Sequence, residues 1–166
     1  MKRCFYPGSF DPPTLGHVDL IERASRLFDQ VVVGVMINPD KRSMFTTQER
    51  VDMLKDCTAH LANVSVVADS GLTVDMARRA GCQALLRGIR GAADVALEEQ
   101  LANANRHISG LDTVLLFTAP EYGYISSSIV RDLIRHSGPI DGMVSECIKE
   151  RLLARAEKNQ AIGRSV

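Results

Sequence analysis

The stretch Gly8-Ser9-Phe10-Asp11-Pro12-Pro13-Thr14-Leu15-Gly16-His17 follows directly on an apolar Cys4-Phe5-Tyr6. A chain turning out of a strand uses glycine and proline, but it has no need of a histidine. The glycines let backbone amides come close to a ligand, and Ser9 offers a hydroxyl. His17 falls in the first turn of the following helix, where unpaired N–H groups and the positive dipole end attract anions. Imidazole placed there can donate to a phosphate oxygen. Taken alone, the stretch is also readable as a capped turn with a partly exposed histidine, and its neighbours decide between the two.

A second cluster, Leu85-Leu86-Arg87-Gly88-Ile89-Arg90-Gly91-Ala92-Ala93-Asp94, puts Arg87 at a strand end and Arg90 just before a helix. Two guanidiniums around a glycine at a sheet edge suit a polyphosphate clamp. The plainer reading pairs them with Asp94 or Glu98, and the clamp is preferred because strand end and helix start coincide. In a third, Tyr122 to Asp132, the serines Ser126, Ser127 and Ser128 begin a helix. One serine would be a cap, whereas three supply hydroxyls and amides for several phosphate oxygens. The fourth, Asn38 to Arg50, carries Lys41 as a mobile point charge after a strand.

What is missing narrows the chemistry further. The spacing after the first strand is neither GxGxxG nor GxxxxGK[ST]. No carboxylate pair sits at the strand ends, no nucleophile elbow is present, and no acidic cluster could cage Mg²⁺ alone. Cations, hydroxyls and amides without a proton-abstracting side chain suit phosphoryl or nucleotidyl transfer, where catalysis is positioning and charge stabilisation.

Elements must bring these clusters together. Strands are predicted near Arg3–Tyr6 and over Val31–Ile37, Val64–Ala68, Gln83–Arg87 and Thr113–Thr118. The continuous β-branched run from Val31 reads as a strand buried on both faces. Helices are predicted over 16–28, 47–58 (with Thr46 or Thr47 as cap), 72–81 ending at Gly81, 92–108, 126–138 and about 140–157. In the fourth of these, Leu97, Leu101, Ala104 and Ile108 share one face. In the last, Met143, Val144, Cys147, Ile148 and Leu152 form one stripe. Strands alternating with helices imply an α/β class: a Rossmann-like, doubly wound sheet of about five parallel strands with helices on both faces. Ligands of such folds sit at the carboxyl ends of the strands, where all four clusters fall.

The 166 residues are read as one domain, 1–166, with 45% hydrophobic and 24% charged residues. Lysine plus arginine equals aspartate plus glutamate at 20 each, so nothing in the charge points to nucleic acid or a membrane surface. Cys4, Cys57, Cys82 and Cys147 lie far apart, without metal spacing, and read as free thiols in a reducing compartment. With no signal-peptide pattern and no membrane-length apolar run, the chain is expected to be cytoplasmic.

In this order the four clusters resemble the phosphopantetheine adenylyltransferase family, over essentially the whole chain. Tyr6–His17 looks like its opening motif, with Thr14-Leu15-Gly16-His17 standing for the (T/H)xGH signature of the nucleotidyltransferase superfamily. Leu85–Asp94 and Tyr124–Asp132 look like its second and third signatures, and Asn103–His107 narrows the likeness to this family. The resemblance implies transfer of the adenylyl group of ATP to 4'-phosphopantetheine, giving dephospho-coenzyme A and pyrophosphate, with Mg²⁺. It implies catalytic roles for His17, Lys41 and Arg90, and an ATP site of Ser9, Phe10, His17, Gly88, Ile89, Arg90, Glu98, Tyr122, Gly123, Tyr124, Ile125, Ser126, Ser127 and Ser128. Ser9, Lys41, Thr73 and Arg87 would meet the acceptor. A homohexamer inhibited by coenzyme A is likewise implied. Leu97 and Tyr122 depart from residues common in relatives, as does the lack of a proline before Met44.

The expected mechanism is direct in-line attack of the acceptor phosphate on the α-phosphorus, with no covalent intermediate. The alternatives are a sibling nucleotidyltransferase with another phosphate acceptor, a non-catalytic nucleotide-binding regulator, and, more weakly, a flavodoxin-like carrier.

Overall fold

The structure, a computed structural model, describes residues 1–38 and 42–163. Five strands form one parallel sheet: β1 (Arg3–Gly8), β2 (Gln30–Ile37), β3 (Val64–Ser70), β4 (Ala84–Ile89) and β5 (Asp112–Phe117). They lie in the order β3-β2-β1-β4-β5. The helices are α1 (Leu15–Leu27), α2 (Thr47–Thr58), α3 (Thr73–Arg79), α4 (Ala92–Ser109), α5 (Ser127–Arg135) and α6 (Glu146–Gly163). This is the expected Rossmann-like arrangement.

Strand order reverses between β1 and β4. The chain winds outward from β1 through β2 to β3, then returns to lay β4 on the other side of β1, in register from Cys4 opposite Ala84. Right-handed crossovers on opposite faces leave a crevice above that junction. The loops after β1 and β4 therefore meet, although about 80 residues separate them in sequence.

Burial explains why the central strands are β-branched. Val31, Val33 and Val35 of β2 pack under α1 and α2 with Leu20, Ile21 and Leu54, while Val32 and Phe5 face Val74, Met76 and Leu85 on the other side. Gly34 lies under the Phe5 ring, where an added Cβ would come within 2.1 Å of a ring carbon. A separate cluster joins α2, α5 and α6 through Met53, Val130, Ile134, Ile148 and Leu152.

The structure fixes one detail that spacing left open and corrects one expectation. The stripe Leu97, Leu101 and Ile108, whose spacing set a shared face but not its direction, lies outward: α4 turns Glu98 inward and leaves these three exposed. Period alone cannot tell a core face from an outward one. The last helix starts at Glu146, later than expected. Gly142 adopts φ 71°, and the Ser145 carbonyl accepts from the Ile148 and Lys149 amides, so Met143 and Val144 precede the helix.

Candidate active site

A cleft of about 780 Å³ opens at the carboxyl ends of β1 and β4. Ser9, Phe10, His17, Arg87, Gly88, Arg90, Glu98, Ile125 and the three serines Ser126 to Ser128 all line it. Thr73, Ile89, Tyr122, Gly123 and Tyr124 are not among its described lining residues. Thr73 begins α3, Ile89 is buried in the sheet, Tyr122 packs on the α5–α6 cluster and Tyr124 is exposed. Lys41 lies outside the described residues.

The turn after β1 is held from several directions. The Asp11 carboxylate is buried and accepts from the backbone N–H of Met44 at 2.8 Å and of Phe45 at 2.9 Å. Arg131 of α5 donates to the Asp11 carbonyl, and its guanidinium lies 4.0 Å from the carboxylate. Arg50 of α2, also buried, donates to the Ser9 carbonyl at 2.7 Å. Ser127 donates to the Pro12 carbonyl at 2.8 Å. Phe10, at φ 46°, folds its ring against Gly8, where a Cβ would come within 2.7 Å of the ring. That ring is buried and packs edge-on to Tyr6 and His17.

His17 occupies the third position of α1, after the cap residue Thr14. A glutamate at this position would close a capping box; here the imidazole takes its part. The Thr14 backbone N–H donates to His17 Nδ1 at 3.0 Å. Since a backbone amide can only donate, Nδ1 must be the acceptor, and the ring proton resides on Nε2. Burial, with Arg90 nearby, holds the pKa of His17 down to about 4. At neutral pH the site therefore contains a neutral imidazole with one oriented N–H donor.

That depression has a measurable consequence. Between pH 6.5 and about 4 the unfolded chain binds a proton that the folded chain refuses. Stability contributed by neutral His17 is thus fully present above pH 6.5 and is lost as pH falls toward 4. For a half-buried ring the loss should be roughly 2 kcal/mol. Urea melts from pH 7 to 4.5 should show it in the wild type and a flatter dependence in His17→Gln; parallel curves would contradict the assignment.

Both arginines of the second cluster carry carboxylate partners. Arg87 grips Glu98 bidentately, Nε to Oε2 at 2.8 Å and Nη2 to Oε1 at 2.7 Å, and Glu98 is buried. Arg90 is more exposed and lies 3.4 Å from Asp94. The plainer sequence reading thus holds for the free protein. A guanidinium has five N–H donors, however, and the Arg87–Glu98 fork leaves some of them for an anion while fixing the plane of the group. The serines show a similar economy. Ser126 caps α5 by accepting from the Ile129 amide at 3.2 Å, and Ser128 accepts from Arg131 at 3.1 Å. The first-turn amides of α5 remain outside the helix's own bonding.

Sequence reasoning gave no role to Asp11, Arg42, Arg50 and Arg131, which also border the cleft. Thr14, named there only as part of the Thr14–His17 signature, also lines the cleft, and its pairing with the His17 ring was findable from the three-residue spacing at a helix start. Nothing in Thr47-Gln48-Glu49-Arg50 signals that its arginine turns inward.

Three comparisons bear on this cleft. The Cytidylyltransferase-like family description matches residues 5–133. A phosphopantetheine adenylyltransferase of Psychromonas ingrahamii is 46% identical over 160 residues, 96% of this chain and 99% of the relative. One of Symbiobacterium thermophilum is 45% identical over 161 residues, again 96% and 99%. The chain belongs to the phosphopantetheine adenylyltransferase family. A crystal structure provisionally assigned as a nicotinate-nucleotide adenylyltransferase from Vibrio parahaemolyticus superposes with TM-score 0.64, covering 92% of this chain and 99% of that one. At 20% identity it speaks for the fold alone. For this adenylyltransferase-family chain, the matched span from β1 to α5 contains every described residue that lines the cleft, and α6 lies beyond it.

Proposed function

We propose that this chain transfers the adenylyl group of ATP to 4'-phosphopantetheine, releasing pyrophosphate and forming dephospho-coenzyme A. The observation that carries the reading is the neutral His17 donor, which lines one cleft with Arg87, Arg90 and the amide-rich start of α5 at the strand-order reversal. The acceptor phosphate is already an anion, so attack on the α-phosphorus needs no general base. One phosphate oxygen forms the new P–O bond, the bond to the β-phosphate oxygen breaks, and pyrophosphate leaves with the electron pair. His17 Nε2–H, together with Lys41, meets the charge that grows on the α-phosphate oxygens. Arg90, Ser9 and the first turn of α5 receive the β- and γ-phosphates. Arg87, held flat by Glu98, faces the acceptor phosphate. Gly88 and the Tyr122–Ile125 segment border the nucleoside in this reading, and Thr73 the pantetheine arm.

Among the described residues no three His, Cys, Asp or Glu side chains converge on a metal position. The family resemblance implies an Mg²⁺, which would be held mainly by the triphosphate and by water. Such an ion would supply neutralising charge to the leaving pyrophosphate, beside Arg90 and the first-turn amides of α5.

Purified protein with ATP, Mg²⁺ and 4'-phosphopantetheine should release pyrophosphate. Release with nicotinamide mononucleotide instead would replace this reading with a sibling activity, and ATP binding without any release would make the chain a regulator. Arg87→Lys loses the fork to Glu98, and should raise the KM for 4'-phosphopantetheine about tenfold while altering that for ATP far less. Equal changes in both would remove Arg87 from the acceptor side. Coenzyme A carries the acceptor's own phosphopantetheine arm and is read as a competing inhibitor.

The outward apolar face of α4, Leu97, Leu101 and Ile108, supports self-association, and the family resemblance makes the assembly a homohexamer. Light scattering should report about six times the 18.2 kDa chain mass; a monomer would overturn this. No helix among the described residues is long and apolar enough to cross a membrane. All four cysteines are free, which supports a cytoplasmic setting.

A further inference from the structure

Cys57 on α2 and Cys147 at the start of α6 share a hydroxyl. Ser145 Oγ lies 3.2 Å from the Sγ of each, so the two sulfurs are separated by no more than twice that contact. Cys57 and Ser145 are 88 residues apart in sequence, so the juxtaposition is made by the fold. Cys147 is exposed and Cys57 half-buried, and neither borders the cleft. Elsewhere along this joint α2 and α6 are tied by the surface ion pairs Arg151–Asp56 and Arg155–Glu49, with Arg155 5.0 Å above the Phe45 ring. Exposed pairs of this kind hold weakly. A covalent link would hold far better, at a joint whose α2 end carries the Phe45 amide that grips Asp11.

We propose that Cys57 and Cys147 form a reversible disulfide that fastens α6 to α2, with a low-molecular-weight disulfide such as oxidised glutathione as the oxidant. The exposed Cys147 thiolate attacks one sulfur of the oxidant, expelling a first glutathione thiolate and leaving a mixed disulfide. Burial pushes the Cys57 thiol up to about 11, so it is the resolving partner and not the first nucleophile. As Cys57 gives its proton to solvent, the Ser145 hydroxyl donates to the forming thiolate. Cys57 then attacks the Cys147 sulfur and expels the second glutathione thiolate. Two protein thiols lose two electrons in all, and one oxidised glutathione becomes two thiols. The bond closes a long loop from the end of α2 through β3, β4, β5 and α5, so it restricts the unfolded chain strongly.

The full-length protein is incubated with oxidised or reduced glutathione, free thiols are alkylated, and tryptic peptides are mapped by mass spectrometry alongside thermal melts. We expect a peptide pair joined through Cys57 and Cys147 and a melting temperature raised by roughly 5–10 °C. Dithiothreitol should reverse both, and both should be absent in Cys57→Ser and Cys147→Ser. The surface position of Cys147 keeps the second variant informative should the first fail to fold. A lasting glutathione adduct on Cys147 with Cys57 still alkylated, a bond to Cys4 or Cys82, or an unchanged melting temperature would each overturn the proposal. Pyrophosphate release is not the readout, so failure here leaves the adenylyl-transfer reading standing.

Discussion

His17→Ala should cut kcat by roughly a hundred- to a thousandfold while leaving ATP affinity within several-fold, as removal of a transition-state donor does. The argument rests on which nitrogen carries the proton. Because Nδ1 is committed to the Thr14 amide, Nε2–H is the ring's donor, and the depressed pKa keeps it a neutral one across the physiological range. A neutral donor gains little from a ground-state phosphate that already has water and magnesium around it. It gains more as charge builds on the α-phosphate oxygens, so its loss falls on kcat. His17→Asn separates the two roles of the ring, since a shorter amide reaches either the Thr14 N–H or the phosphate but not both. It should recover part of the stability and little of the turnover. Single-turnover quench flow measures the chemical step directly. A rate within threefold of wild type in His17→Ala would sink the assignment.

The second large effect is expected at Asp11, a residue that touches no reacting atom. Asp11→Ala strips the acceptor from two backbone amides and removes the carboxylate beside Arg131, which keeps only the Asp11 carbonyl and the Ser128 hydroxyl as partners. Unsatisfied buried donors beside an unpaired cation should cost about 3 kcal/mol. For a chain of this length that lowers the melting temperature by roughly 6–12 °C. Turnover should fall at least tenfold at temperatures where the variant is folded, because the turn carrying Ser9 and His17 loses its tie to the segment before α2. Asp11→Asn keeps one acceptor oxygen and should sit between the two proteins. If Asp11→Ala melted like the wild type, the carboxylate would not be what holds the turn.

How much of this could be read beforehand differs from element to element. The strand run Val31–Ile37 and the α/β alternation were legible because burial on both faces demands β-branched residues without alternation. The α5 cap was legible because a serine before a helix has few other uses, and of the three serines Ser126 takes that place. The α4 stripe was legible as a shared face but not in direction: Leu97, Leu101 and Ile108 have helical spacing, and spacing carries no information about which neighbour the face meets. Arg50 and Arg131 were illegible as supports of the turn, since their carbonyl partners, Ser9 and Asp11, lie 41 and 120 residues away.

Local sequence, then, determined the elements, the order of the anion-seeking clusters, and the glycines and hydroxyls that could approach phosphate. Those properties depend on neighbours within one or two turns of chain. The tertiary structure alone decided that the loops after β1 and β4 meet, that Arg87 faces Glu98, and that Asp11 points inward to two amides. It also set the degree of burial that keeps the His17 imidazole neutral. Charge state and long-range pairing depend on dielectric surroundings and on the strand order of the sheet, and both exist only once the chain has folded.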